Sequence, residues 1–443
     1  MKNTVRNLIV LSALLMGISA GTLQSAASEQ EGQVLNIYSW NTEFKTRLEE
    51  VYPGYEIVDP VTGKIGDVIV KWNITPSEGD AYQNNLDESI IRQAEVPDDE
   101  KIDIFLVEAD NALKYVYAEP AIAVNISDLG ISDSALSGQY AYTRDVTTDN
   151  NGNLKAVSWQ ACPGLLIYRR DIAQEVLGTD DPNEVQEYVK DWDTYMDTAA
   201  KMAEAGYFMN SAAVDSFRVF SNNVTSSWVN GNKINIDDNI MRWVDMPKEM
   251  VDAGQTNAYI MWSDDWSRGF YEEGKVFCYF GPGWFYDFCM AVDAEGSVGS
   301  QGGWAATKGP QSFFWGGTWI MAAEGTDNPS LVKEIMLNLT CNDEIMKKIA
   351  VKYGDFVNSK AVMEELAVDE NFGNPALGGQ NPIPTFLDGI SDIDPTHLSP
   401  YDQGCVEEFQ TALKNYFEGN ASKEDAIELF YKSVEEKYPM LTH

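Results

Sequence analysis

Two glycine-rich stretches of this chain are expected to hold tryptophans open rather than bury them: Gly281-Pro282-Gly283-Trp284 and Trp315-Gly316-Gly317-Thr318-Trp319. Trp40 and Trp159 each close an apolar run that reads as a β-strand. A flat indole at a strand end is a platform for a sugar ring. The ring's C–H face packs on the π surface while its rim hydroxyls bond to neighbouring polar groups. Most tryptophans are simply large core residues. Trp72, within a strand, and Trp192, on a helix's apolar face, read that way.

Other chemistry is short of parts. The only histidines are His397 and His443, so a Ser–His–Asp triad or a histidine-based zinc site has almost nothing to draw on. There is no phosphate-binding P-loop, and no G-x-G-x-x-G after a strand. Gln160-Ala161-Cys162-Pro163-Gly164 comes close to a cysteine-nucleophile signature but breaks at Pro163 and lacks its histidine. A buried thiol is the better reading of Cys162. Acidic pairs such as Asp264-Asp265 are expected by chance among 69 acidic residues and do not single out a glycosidase. Asp149 and Asn151 before Gly152 hint at a calcium loop, yet position twelve is Ser158 rather than Glu. Asn150 to Asn153 therefore reads as a tight turn.

The elements that must position these residues alternate. Strands are expected at Val34 to Trp40, Val68 to Trp72 and Ile102 to Val107, with helices around Thr42 to Val51 and Ala81 to Arg92. Further strands follow at Leu154 to Trp159, Leu165 to Tyr168, Val276 to Phe280 and Trp319 to Ala323. Helices are expected at Asp191 to Ala205, Asn239 to Asp252 interrupted by Pro247, Pro329 to Leu339, and in two C-terminal stretches. This alternation argues for an α/β protein. At 443 residues the chain has room for two or three domains, and without a linker the chain must cross between lobes through its strands.

Residues 1–27 read as an export signal: Lys2 and Arg6, an apolar run from Leu8 to Ile18, then small residues to Ala27. Without them the formal charge falls from −38 to −40, since they hold two basic residues and no acidic one. So acidic a surface repels phosphate backbones, which excludes nucleic acid as a partner. Five cysteines leave at least one unpaired, and a Cys278–Cys289 bridge is open.

Several segments, in this order, resemble the extracellular solute-binding proteins of family 1, the sugar-binding components of ABC importers related to maltose-binding protein. They are Leu35 to Trp40, Ile102 to Asp110, Gly152 to Val157 with Tyr168 to Asp171, Asp191 to Tyr195, and Glu273 to Val276 with Gly281 to Trp284. The resemblance spans roughly residues 33–438. It implies a two-lobed α/β fold of the type II periplasmic-binding-protein-like kind, with a ligand cleft between lobes. The first lobe would hold residues 34–122 and 279–314, the second 123–278 and 315–443. It also implies a ligand site drawn from Trp40, Asn41, Glu43, Glu108, Asp110, Trp159, Gln160, Trp228, Trp284, Trp315 and Trp319. The implied function is non-enzymatic capture of a carbohydrate, with the permease subunits as partners, no cofactor or metal, and a monomeric state. The first cysteine is Cys162, so no lipid-anchor cysteine follows the signal, and a periplasmic or surface location is expected. Two other readings stay open. The Tyr38-Ser39-Trp40 start and the acidity also resemble polyamine-binding relatives, and a thiaminase-like enzyme would use Cys162.

Overall fold

The computed structural model describes residues 32–443; the export-signal reading of residues 1–27 lies outside them. Two mixed sheets organise the chain. The larger has seven strands, in the order Tyr55–Asp59, Thr62–Ile65, Val68–Ile74, Val34–Ser39, Ile104–Glu108, Thr318–Ala322 and Ala156–Ser158. The smaller has four, Trp304–Thr307, Leu165–Arg169, Val276–Gly281 and Phe208–Asn210. Period-two alternation sets the packing of the small sheet. Leu165 and Ile167 join one core, while Leu166 and Tyr168 join the other.

Val34–Ser39 runs parallel to Val68–Ile74 and to Ile104–Glu108. Thr318–Ala322 runs antiparallel to both its neighbours, so Ala156–Ser158 points the same way as Ile104–Glu108. Ser39, Glu108 and Ser158 therefore end on one edge of the sheet, where Thr318 begins. Open α/β sheets offer ligand sites at such an edge. The longest expected helices are present, but the break expected at Pro247 is not. Trp192–Glu204 opens with a capping box in which Asp191 accepts from the Thr194 N–H and Thr194 Oγ1 accepts from the Asp191 N–H. Asp238–Asp252 runs unbroken through Pro247. The Tyr55–Asp59 and Thr62–Ile65 hairpin has no counterpart in the sequence reading, because its apolar residues Ile57, Val58 and Val61 face solvent instead of alternating with polar ones.

The division between lobes differs from the expected boundaries. Ala123, Ile126 and Leu136 pack in the larger-sheet core, and Ala123 bridges to Ala323. The first crossing thus falls at 159–164, not near 122. Strands Val276–Gly281 and Trp304–Thr307 belong together in the small sheet, and Thr318–Ala322 returns to the large one. Hydrogen-bond register decides membership here: Glu108 pairs with Thr318, and Gly281 with Leu165. The C-terminal helices Asp402–Phe417 and Lys423–Lys437 pack back on the smaller-sheet core, through Phe409, Leu413 and Phe430.

The first two crossings run antiparallel against each other. Gly164 N–H donates to the Phe313 carbonyl at 2.8 Å and Trp315 N–H to the Cys162 carbonyl at 3.1 Å, around a Pro163–Phe314 bridge. Gly317 sits in this ladder at φ +97°, and an added Cβ would meet Cys162 Sγ and the Trp319 ring at 3.3 Å. Both the backbone and the space demand glycine. Gly317→Ala is expected to destabilise the protein by about 1–3 kcal/mol, measured by urea denaturation. A neutral effect would mean the crossing is looser than described.

Candidate functional site

Between the sheets lies a cleft of about 1120 Å³. The sheet edge supplies its floor. Trp40, Asn41 and Glu43 follow the first strand, Glu108 ends its neighbour and Asp110 opens the next helix, and Gln160 leads the first crossing. Trp315, Gly316 and Gly317 come from the second crossing, and Trp284 from the helix Gly283–Phe288. Gly316, at φ +68°, lets the chain pass where a Cβ would press at 3.3 Å on both Glu108 and Trp284.

Two arginine–carboxylate groups set the electrostatics. Arg218 is held bidentately by Asp110 at 2.7 and 2.6 Å. It lies in the helix Phe217–Ser221, whose apolar side chains pack in the smaller-sheet core, so this pair joins the two lobes. The guanidinium also sits 5.5 Å from the Trp315 ring centroid. Glu108 accepts from the Asp110 N–H at 2.9 Å. Burial, then the Asp110 charge, pushes its carboxyl up to about 8 against the pull of Arg218. In the second group Arg47 is bidentate to Asp355 at 3.0 Å through each bond and lies over the Tyr353 ring. Glu43 accepts from Gln160 Nε2 at 2.7 Å. Burial, then Asp355, pushes Glu43 up to about 7, with Arg47 opposing.

The aromatic wall is a cluster. Trp284 Nε1–H donates to the Trp315 carbonyl at 3.0 Å, and their ring centroids are 5.4 Å apart. Trp262 lies 5.8 Å from Trp315. Trp40 is backed by Tyr82, whose hydroxyl donates to the Leu106 carbonyl at 2.6 Å.

Residues 56–373 match the family described as bacterial extracellular solute-binding protein. The chain belongs to that family. Solved structures with the same two-lobed fold agree over more than nine tenths of the chain. One titled extracellular solute-binding protein family 1 is 19% identical, covers 91% of this chain and 99% of its own, and has a TM-score of 0.74. The galacto-N-biose-/lacto-N-biose I-binding protein of Bifidobacterium longum, in complex with lacto-N-biose, is 12% identical, with 94% and 100% covered and a TM-score of 0.67. An ABC transporter associated binding protein from B. animalis subsp. lactis Bl-04, in complex with beta-1,6-galactobiose, is 16% identical, with 93% and 100% covered and a TM-score of 0.66. No curated protein matches the sequence. Among the described residues no helix is long and apolar enough to cross a membrane.

Of the expected site residues, the cleft of this solute-binding protein gathers Trp40, Asn41, Glu43, Glu108, Asp110, Gln160, Trp284 and Trp315. Trp159, Trp228 and Trp319 are corrected to core residues. Neighbours on an extended chain face opposite ways. Gln160 faces the cleft, so Trp159 turns inward onto Phe44, and Thr318 faces the cleft, so Trp319 is buried. Trp228 packs under the C-terminal helices against Phe409 and Phe430. Cys162 is buried, and burial, then the Glu43, Asp355 and Glu108 charges, pushes its thiol up, the opposite of what a thiolate nucleophile needs. All five cysteines are free thiols, Cys278 and Cys289 included.

Sequence reasoning missed Arg218, Tyr353 and Trp262. A signal for Arg218 was present: a lone charge inside the apolar run Phe217-Arg218-Val219-Phe220. Trp262 follows no strand and had none.

Two outcomes follow from this geometry. Trp159→Ala is expected to cost about 3–5 kcal/mol of stability, as a fully buried indole does, whereas Trp284→Ala costs clearly less by the same urea titration. Burial, the largest cause in each case, also pushes Asp215, Asp287 and Asp402 up to about 7. With Glu43 and Glu108 they bind protons more tightly folded than unfolded, where carboxyls titrate at about 4. The stability these five groups contribute is thus fully present at about pH 4 and is lost as pH rises to about 8. Tm without added ligand should be higher at pH 6 than at pH 8.5; a flat or rising profile would contradict the assignment.

Proposed function

We propose that the protein captures a carbohydrate, an oligosaccharide, in this cleft and delivers it to the permease subunits of an ABC transporter. One observation carries the reading: indoles line the same cleft as carboxylates whose arginine partners are already in place. Such carboxylates accept from neighbouring hydroxyls while the indole packs on the ring face. The complexes of the two bifidobacterial proteins with disaccharides are in keeping with it. The main rival ligand is a polyamine. Asp110 and Asp355 are each engaged by a bidentate arginine, and burial disfavours charge on Glu43 and Glu108. That leaves little unpaired charge at the sheet edge and favours a neutral, polyhydroxylated ligand there, with Asp287, Asp293 and Glu407 farther out along the cleft.

Membership in an extracellular family fits residues 1–27 as a cleaved export signal. The protein acts at the cell surface or in the periplasm. It works as a monomer and catalyses no reaction.

A thermal-shift screen against mono- and oligosaccharides, with spermidine included, tests the reading, because a ligand that binds the native state raises Tm by mass action. A saccharide should raise Tm and spermidine should not. Trp284→Ala should weaken saccharide binding about tenfold in isothermal titration. Shifts with spermidine alone would replace the carbohydrate reading.

A further inference from the structure

Trp262 occupies a tight turn from Ile260 to Ser263, closed by the Ser263 N–H on the Ile260 carbonyl at 3.1 Å. Its φ is +70°. At the third place of a turn, positive φ usually selects glycine, because a side chain there is strained. The indole is only half buried in exchange, 52% exposed, against Trp266, Phe285 and Trp315. It meets Trp266 edge-on at 5.0 Å, tilts toward Trp315 and lines the cleft. Met261 and Phe288, the latter 62% exposed, line the same rim. Exposure therefore increases along one aromatic wall, from the part-buried Trp284 and Trp315 to Trp262 and Phe288.

We infer that Trp262 forms an outer subsite that receives the rings of an oligosaccharide beyond the innermost pair and so sets the preferred chain length. The inference rests on the carbohydrate reading. The floor groups Glu108 and Gln160, with Trp284 and Trp315, hold the inner end of the ligand. A short saccharide is satisfied there and does not reach the rim. Longer chains leave along the wall and meet the Trp262 ring. A strained backbone holding an exposed aromatic side chain is the pattern of a residue kept for contact rather than for folding.

The test compares wild type with Trp262→Gly and Trp262→Phe by isothermal titration. The probes are a homologous saccharide series of one to four rings, taken from the binders found by the screen. Trp262→Gly should weaken the three- and four-ring ligands about tenfold and the one- and two-ring ligands less than about twofold. Trp262→Phe should recover most of that loss. Glycine relieves the turn while giving up a half-buried indole, so the two effects offset and Tm of Trp262→Gly should change by no more than a few degrees. Equal weakening at every length, no weakening at any length, or a Tm lowered by several degrees would overturn the subsite while leaving the carbohydrate reading intact. If wild type binds no saccharide, both fall together.

Discussion

The antiparallel contact between the two crossing segments is what the rest of the structure depends on. Two main-chain hydrogen bonds and the Pro163–Phe314 bridge tie residues 159–164 to 308–317. A main-chain ladder fixes spacing and direction but leaves torsional freedom along its length. The lobes can therefore turn about it without losing their relation to each other, the geometry of hinge closure. The same ladder delivers Gln160, Trp315 and Gly316 to the cleft, so hinge and site share one backbone.

Charge in the cleft follows from how little water reaches it. A buried charge needs a partner, and each buried arginine here has one in bidentate form. Each of these pairs stands beside an additional carboxylate, Glu108 or Glu43, whose environment resists ionisation. The outcome is a floor rich in oxygen acceptors but poor in net field, despite an overall composition that is strongly acidic. Surface acidity serves solubility; the site's polarity is settled locally.

Much of this was legible in the sequence. Strand and helix periods placed the central strands and the longest helices near their observed ends but not the short helices, Ala109–Val116 and Phe217–Ser221 among them, and segment order gave the family. The cleft-facing residues at strand ends, Trp40 and Glu108, were legible because a strand's end is marked by where its apolar run stops. Trp159 and Trp319 were misread for a related reason. Near a strand end the pattern says that a side chain is close to the edge, but a one-residue difference decides which face it takes. The lobe boundaries were not legible, since they depend on which distant strand supplies the hydrogen bonds. Trp262 was hidden because nothing local announces a strained turn when its residue is not glycine.

The ion pair between Asp110 and Arg218 has a consequence for how such a receptor can diversify. It joins the lobes through the protein's own side chains, so part of the free energy of closure is independent of ligand contacts. The closure equilibrium constant multiplies the intrinsic binding constant in an observed affinity, so their free energies add. Substitutions around this pair can therefore retune the working concentration range while the ligand-recognition surface stays the same. Affinity and selectivity become separately heritable properties of one cleft.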